Sequence, residues 1–360
     1  MKKYLIGSLL LLIILVLPAQ RRASETFRLV HSDKLFLNRS DVEQVLELNG
    51  NVHFFYGKTE FKANRALILD TSKIARLTGN VVVSNDTLTL SADSLAYYRI
   101  PQQMNLGGGV RIDERNPDGS QRWFSSDFAN YDQANQKLTT WGNVKAFDLM
   151  ENAFASCGYA FWDRKAGYAY MIENPRLHTG SPDTLFISAE RIEYFDEEEK
   201  IVATFDVKVD SQDYHTTSDF LLYFVKEEKA VFTGMPVFRS GFATARAREF
   251  YLYFTERELN KAELIDSCRV DFAEQEGAGQ TNWVVADYVR IGFQGENLKD
   301  FRAENRVSYY YQQEEEEERD YFQNRSTGQY LEAMFSSDNK LEYIRMRDSI
   351  NGVYKFRSKT

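Results

Sequence analysis

Val81 and Val83, then Leu88, Leu90 and Ala92, alternate with polar residues, the period of two that marks a half-buried strand. Asn85-Asp86 between them is turn chemistry, and Gly50-Asn51 and Gly79-Asn80 read the same way. Thr, Val, Tyr and Phe fill the strand positions, where their side chains pack well on a pleated surface. Beyond residue 25 no segment joins helical periodicity to good caps for more than about three turns. Asp41 to Leu48 is the single modest helical candidate. The pattern predicts an all-β chain.

The strands repeat. Leu48-Asn49-Gly50-Asn51-Val52 and Leu77-Thr78-Gly79-Asn80-Val81 share Leu-x-Gly-Asn-Val, 29 residues apart. Gly108-Gly109-Val110 and Gly142-Asn143-Val144 follow, with looser copies at Phe205-Asp206-Val207 and Gly234-Met235-Pro236-Val237. A second column reads Phe61-Lys62-Ala63-Asn64, Leu90-Ser91-Ala92-Asp93, Phe124-Ser125-Ser126-Asp127 and Phe154-Ala155-Ser156-Cys157. Ile187-Ser188-Ala189-Glu190, Thr216-Thr217-Ser218-Asp219 and Val284-Val285-Ala286-Asp287 continue it. Roughly nine units of about 30 residues fill 45–335, and a unit that short must stack on its neighbours to bury a core. Phe61, Leu90, Phe124, Phe154, Ile187 and Val284 are predicted to line the interior as one ladder.

The pattern Gly-Asn-Val-x-Val followed by Thr-x-Leu-x-Ala-Asp-x-x-x-Tyr, from Gly79 to Tyr98, resembles the OstA/LptA family of lipopolysaccharide transport. The tandem Leu48–Leu69 and Leu77–Tyr98 is its most specific part; the likeness is good over 45–150 and patternwise to about 335. The resemblance implies a repetitive, elongated β-jelly-roll, an open V-shaped stack of two antiparallel sheets. It implies a non-catalytic periplasmic protein that shields the acyl chains of lipopolysaccharide and bridges toward the outer membrane. Implied partners are other Lpt-type jelly-roll domains, or further copies of the chain, joined by edge-strand pairing; no cofactor or metal is implied. The expected lipid-groove residues are Val52, Phe54, Phe61, Val81, Val83, Leu88, Leu90, Phe124, Val144, Phe154 and Ile187. The chain is about twice as long as a compact single member, and its end, Lys355 to Thr360, lacks the aromatic strand of a membrane barrel.

Composition narrows the alternatives. Net charge is −9, which argues against a nucleic-acid binder. Aromatic content of 14% is too high for a disordered chain. Lys2 and Lys3 precede an apolar run over 4–19, shorter than the roughly 20 residues of a membrane-spanning helix, so 1–22 reads as an export signal or an inner-membrane anchor. A linker at 23–44, family-like repeats at 45–150, degenerate repeats at 151–335 and a terminal strand pair with tail at 336–360 complete the plan.

Cys157 and Cys268 read as core thiols rather than a bridge. His31, His53, His178 and His215 show no metal-ligand spacing. An aspartate recurring unit after unit (Asp93, Asp127, Asp219, Asp287) suits a turn or strand end better than a catalytic pair, which is singular. Gly107-Gly108-Gly109 reads as a turn rather than a phosphate loop. Glu314 to Glu318 reads as a solvated loop, with a docking tail as the sharper alternative. Arg246 and Arg248 belong to an exposed strand face or meet a lipid phosphate. Two other function classes compete: a structural or adhesive envelope β-solenoid with a filled core, and a polysaccharide-degrading β-helix enzyme, which would need a unique cluster of acids.

Overall fold

The computed structural model describes residues 27–357 except 87, 116–118, 120, 150–151, 180–184, 212–213, 242, 256–257, 273–281, 296, 313–320 and 338–340. The apolar run at 4–19 and the glutamates at 314–318 lie outside the described residues. Among those described there is no helix, and so none long and apolar enough to cross a membrane.

The strands are β1 (Phe27–His31), β2 (Lys34–Arg39), β3 (Gln44–Tyr56), β4 (Thr59–Leu69), β5 (Ile74–Ser84), β6 (Leu88–Tyr98), β7 (Gln103–Arg115), β8 (Gln121–Asp132) and β9 (Lys137–Asp148). They continue as β10 (Ala153–Asp163), β11 (Tyr168–Ile172), β12 (Arg176–Thr179), β13 (Phe186–Ser188), β14 (Arg191–Phe195), β15 (Lys200–Asp210), β16 (Tyr214–Phe224), β17 (Lys229–Thr233) and β18 (Val237–Ser240). The last are β19 (Ala243–Arg246), β20 (Glu249–Thr255), β21 (Glu258–Phe272), β22 (Asn282–Gln294), β23 (Asn297–Gln312), β24 (Tyr321–Phe335), β25 (Leu341–Arg347) and β26 (Asn351–Arg357). Two compact units result: β1–β12 with β14, and β13 with β15–β26. The segment 41–48 is not helical: most of it is the start of β3, because Leu46 and Leu48 alternate with Glu47 and Asn49 and pair with Leu37 and Leu35 of β2.

The Gly-Asn pairs do not end strands, as the turn reading expects; they bend them. Gly50 and Asn51 both have positive φ and lie inside β3, where Asn49 pairs with Arg65 and Val52 with Ala63, so two residues face the single Asn64. That is a β-bulge, which kinks a strand without ending it. Among the described residues ten such positive-φ pairs recur, from Gly50-Asn51 to Asp348-Ser349. The reversals come at the strand ends instead, as at Asn85, whose side-chain oxygen accepts from the Leu88 N–H at 2.9 Å.

The aspartate column sits opposite these corners. A Cβ on Gly79 would lie 2.6 Å from Asn64 Nδ2, and one on Gly142 2.5 Å from Asp127 Oδ2, so both the φ and the close approach demand glycine. Asn143 Nδ2 donates to Asp127 at 2.8 Å, and Arg306 Nε donates to Asp287 at 2.9 Å. The recurring carboxylates therefore brace corners in mid-strand.

Each bent strand contributes one half to each of two arms. In the first unit, arm A holds β1, the second half of β3, the first half of β4 and so on to β12; arm B holds β2 and the other halves to β11 and β14. Inward positions pass the corner with a characteristic break. Leu48 and Val52 on β3 are buried four residues apart, Ala63 and Ala66 on β4 three apart. A strand carrying one corner residue thus switches parity, and one carrying two keeps it.

Candidate functional site

Cross-strand register arranges the interior of the first unit in rows. Nearest the corner on arm A run Val52, Ala63, Val81, Ala92, Val110, Ser126, Val144 and Cys157. One step out run Leu29, Phe54, Phe61, Val83, Leu90, Ile112, Phe124, Ala146, Ala155 and Leu177. The second row is apolar throughout, and Phe54 stacks on Phe61 at 5.0 Å. Arm B answers with Leu48, Ala66, Leu77, Leu95, Leu106, Ala129, Thr140, Ala160, Met171 and Ile192, a row absent from the sequence-based site list.

Of the expected groove residues, Val52, Phe54, Val81, Val83, Leu88, Leu90, Phe124 and Val144 are buried on arm A, with Phe61 half-buried in the same row. Phe154 is not in it. Ala155 pairs with Ala146 and takes the inward place, while Phe154 pairs with Phe147 on the opposite face. There it joins Trp123 at 6.2 Å and His178 at 4.9 Å, with the Arg111 guanidinium 4.2 Å above Trp123. The corner residue of β10 is correspondingly Gly158, not Cys157; a one-residue slip in aligning this repeat exchanged the two faces. Ile187 is buried on β13 and belongs to the second unit, as does Val284.

The two arms face each other across a cavity of about 60 Å³. Phe124, Val144 and Ala155 line it from arm A, and Leu138, Trp162 and Met171 from arm B. Dry apolar cavities of roughly 150 Å³ take a benzene. An acyl chain would therefore enter only if the arms part or side chains turn.

Beyond the apolar rows, arm A carries a third inward row, and it is ionic over three adjacent strands. Glu114 pairs with Arg122, and Arg122 with Asp148. Asp148 is fully buried, Glu114 is 7% exposed, and Arg122 Nε lies 2.8 Å from Asp148 Oδ2. Burial pushes the Glu114 carboxyl above its ordinary range, against the pull of the Arg122 and Arg164 charges. Sequence reading did not single these residues out. The signal was there: Arg122 stands two residues from Phe124 and so shares its face.

Other candidate chemistry is structural. Burial raises the Cys157 and Cys268 thiols to about 12, far from reactive thiolates, and both are free. Arg246 and Arg248 are exposed and paired with Asp271 at 3.1 Å and Asp266 at 3.0 Å. No cluster with metal-ligand geometry occurs among the described residues.

No family model matches the chain, and no curated protein does. Among solved structures, it is similar to LptH of Pseudomonas aeruginosa, described as the LptA-homologous periplasmic component of the lipopolysaccharide transport device. The match has a TM-score of 0.16 and 12% identity, over 49% of this chain and 82% of that one. The functional reading below rests on the chain's own residues.

Proposed function

We propose that the chain is a non-catalytic lipid-shielding protein of the cell envelope, exported from the cytoplasm, that holds acyl chains of a lipopolysaccharide-type glycolipid between its arms. The observation that carries the reading is the ten-residue apolar row from Leu29 to Leu177 facing a second row on arm B. A lipid with roughly 50 methylenes, at about 0.8 kcal/mol each, gains on the order of 40 kcal/mol by staying out of water. That exceeds the ceiling of about 20 kcal/mol for reversible binding, so such a lipid moves only if its tails stay covered. Continuous apolar rows cover tails and leave a head group outside.

Strand edges supply the second part of the reading. β1 and β2 pair with β3, and β25 and β26 with β24; these four carry exposed Leu35, Phe36, Leu37, Val353 and Phe356. An open edge of this kind templates another strand, in a related jelly-roll domain or a further copy of the chain. A photoreactive residue at Leu90 or Phe124 is expected to crosslink lipopolysaccharide in cells; adducts only from an outward position such as Thr89 would overturn the proposal.

The small cavity favours a second reading, a structural envelope repeat with a permanently filled core. Mass spectrometry of protein isolated from its native envelope separates the two. Retained glycolipid supports shielding, and a lipid-free protein supports the filled core.

A further inference from the structure

Buried ionic groups are a poor source of stability, since apolar residues of similar size often serve as well or better. On arm A of the first unit, the two inward rows nearest the corner contain Ser126 as their only polar side chain. The interruption by Glu114, Arg122 and Asp148 is therefore local and specific. It occupies one register row on β7, β8 and β9, two residues from Ile112, Phe124 and Ala146 on the same faces. Phe124 and Ala146 line the cavity. Arg164, in the turn that ends β10 on arm B, acts electrostatically on both Glu114 and the inward Tyr131. The apolar space thus has one ionic wall, and Arg164, exposed in a turn on the facing arm, is near enough to act on Glu114.

We propose that this wall is the head-group station of the first unit, where Arg122, with Arg164, receives the phosphate of an amphiphile whose tail lies along the Phe54–Phe124 row. The inference rests on the shielding function proposed above and adds to it a polarity, head toward the hairpin ends and tail toward the corners. Arginine suits the task because its planar fork matches two phosphate oxygens at once. Asp148 Oδ2, 2.8 Å from Arg122 Nε, supplies the counter-charge when no ligand is present. Burial pushes the Glu114 carboxyl above its ordinary range, so its charged form competes less for the arginines than an ordinary glutamate would.

The test titrates the full-length protein with dodecyl phosphate, dodecyl maltoside, dodecyltrimethylammonium and inorganic phosphate, reading the fluorescence of its four tryptophans, among them Trp162 on the cavity wall. The expected result is at least about tenfold tighter binding of dodecyl phosphate than of dodecyl maltoside, the scale of one charge-assisted hydrogen bond. The double substitution Arg122→Gln with Asp148→Asn removes both charges together and should lower that ratio several-fold toward one. Arg122→Lys should fall between. Equal binding of the two amphiphiles by the unaltered protein overturns the head-group station while leaving the shielding function standing, and needs no variant to fold. A preference for the ammonium amphiphile, competition by inorganic phosphate alone, or an unchanged ratio in the double variant also overturns it. Failure to bind any amphiphile overturns the shielding function itself.

Discussion

The two units use the same bent strands but fill them differently. The row Leu29 to Leu177 in the first unit has an equivalent in the second: Ile187, Val209, Thr216, Phe238, Ala245, Val270, Val284, Tyr309, Ser326 and Gly352. The first is wholly apolar and holds three phenylalanines. The second holds Thr216, Tyr309 and Ser326, and beside it Asn324 Nδ2 donates to the Tyr309 hydroxyl while Ser326 Oγ donates to Asn324 Oδ1 at 2.7 Å. A lipid tail can replace apolar neighbours with little net loss. Displacing the Tyr309–Asn324–Ser326 network would strand buried polar groups, at about 1–3 kcal/mol each. A shared plan of bent strands thus gives one interior that hydrocarbon could replace at little cost and one in which replacement would strand polar groups.

The contrast is broken most directly by crosslinking. Photoreactive residues at Leu90 and at Val284 occupy matching rows, and lipid adducts are expected from Leu90 alone; equal adducts from both would erase the distinction. Next in size is Phe124→Ala, which should cost about 3–5 kcal/mol in urea unfolding, because a large buried ring leaves a cavity. Asn324→Ala should cost about 1–3 kcal/mol in the same assay, by orphaning its partners rather than by lost volume. Gly142→Ala should also cost about 1–3 kcal/mol, from positive φ together with contact against Asp127; adding Asp127→Ala should recover only part of the contact cost, since the Asp127 Cβ at 2.8 Å remains, and none of the φ part.

Two pH effects, both in the first unit, are smaller. Glu114 has a raised pKa in the fold, so above about the ordinary 4.5 the unfolded chain loses this proton while the folded chain keeps it. Stability from this group therefore falls as pH climbs from 4.5 through the raised value, and Glu114→Gln should flatten that slope in unfolding measured from pH 4 to 7. Glu43 has the opposite sign. The Ser72 hydroxyl, helped by the Thr71 and Ser72 N–H groups, lowers it to about 2, so its contribution is present above 4.5 and fades between 4.5 and 2. Glu43→Gln should remove that acid limb by lowering neutral stability toward the acid value, with little change below the folded pKa.

Most of the inner rows were legible because period-two alternation is a local property. Val81, Val83, Leu88 and Leu90 could be assigned to one face without any partner strand. Phe154 was misplaced because the repeat lengthens from 29 to 34 residues between Gly108 and Gly142, and the offset of the next strand then rests on pairing that no local pattern records. The Gly-Asn pairs were read as turns for a related reason. Glycine and asparagine announce positive φ, but not whether the chain reverses there or only bends.

By itself, then, the sequence determined an all-β repeat with its corner residues, its alternating faces and an acidic exterior, since each follows from side-chain period and backbone permissiveness. Tertiary structure decided which repeats share a unit, which residue of each pair turns inward, and that Glu114, Arg122 and Asp148 meet in one buried row. These depend on register between strands that the chain joins only through hairpins, and a shift of one residue reverses every face.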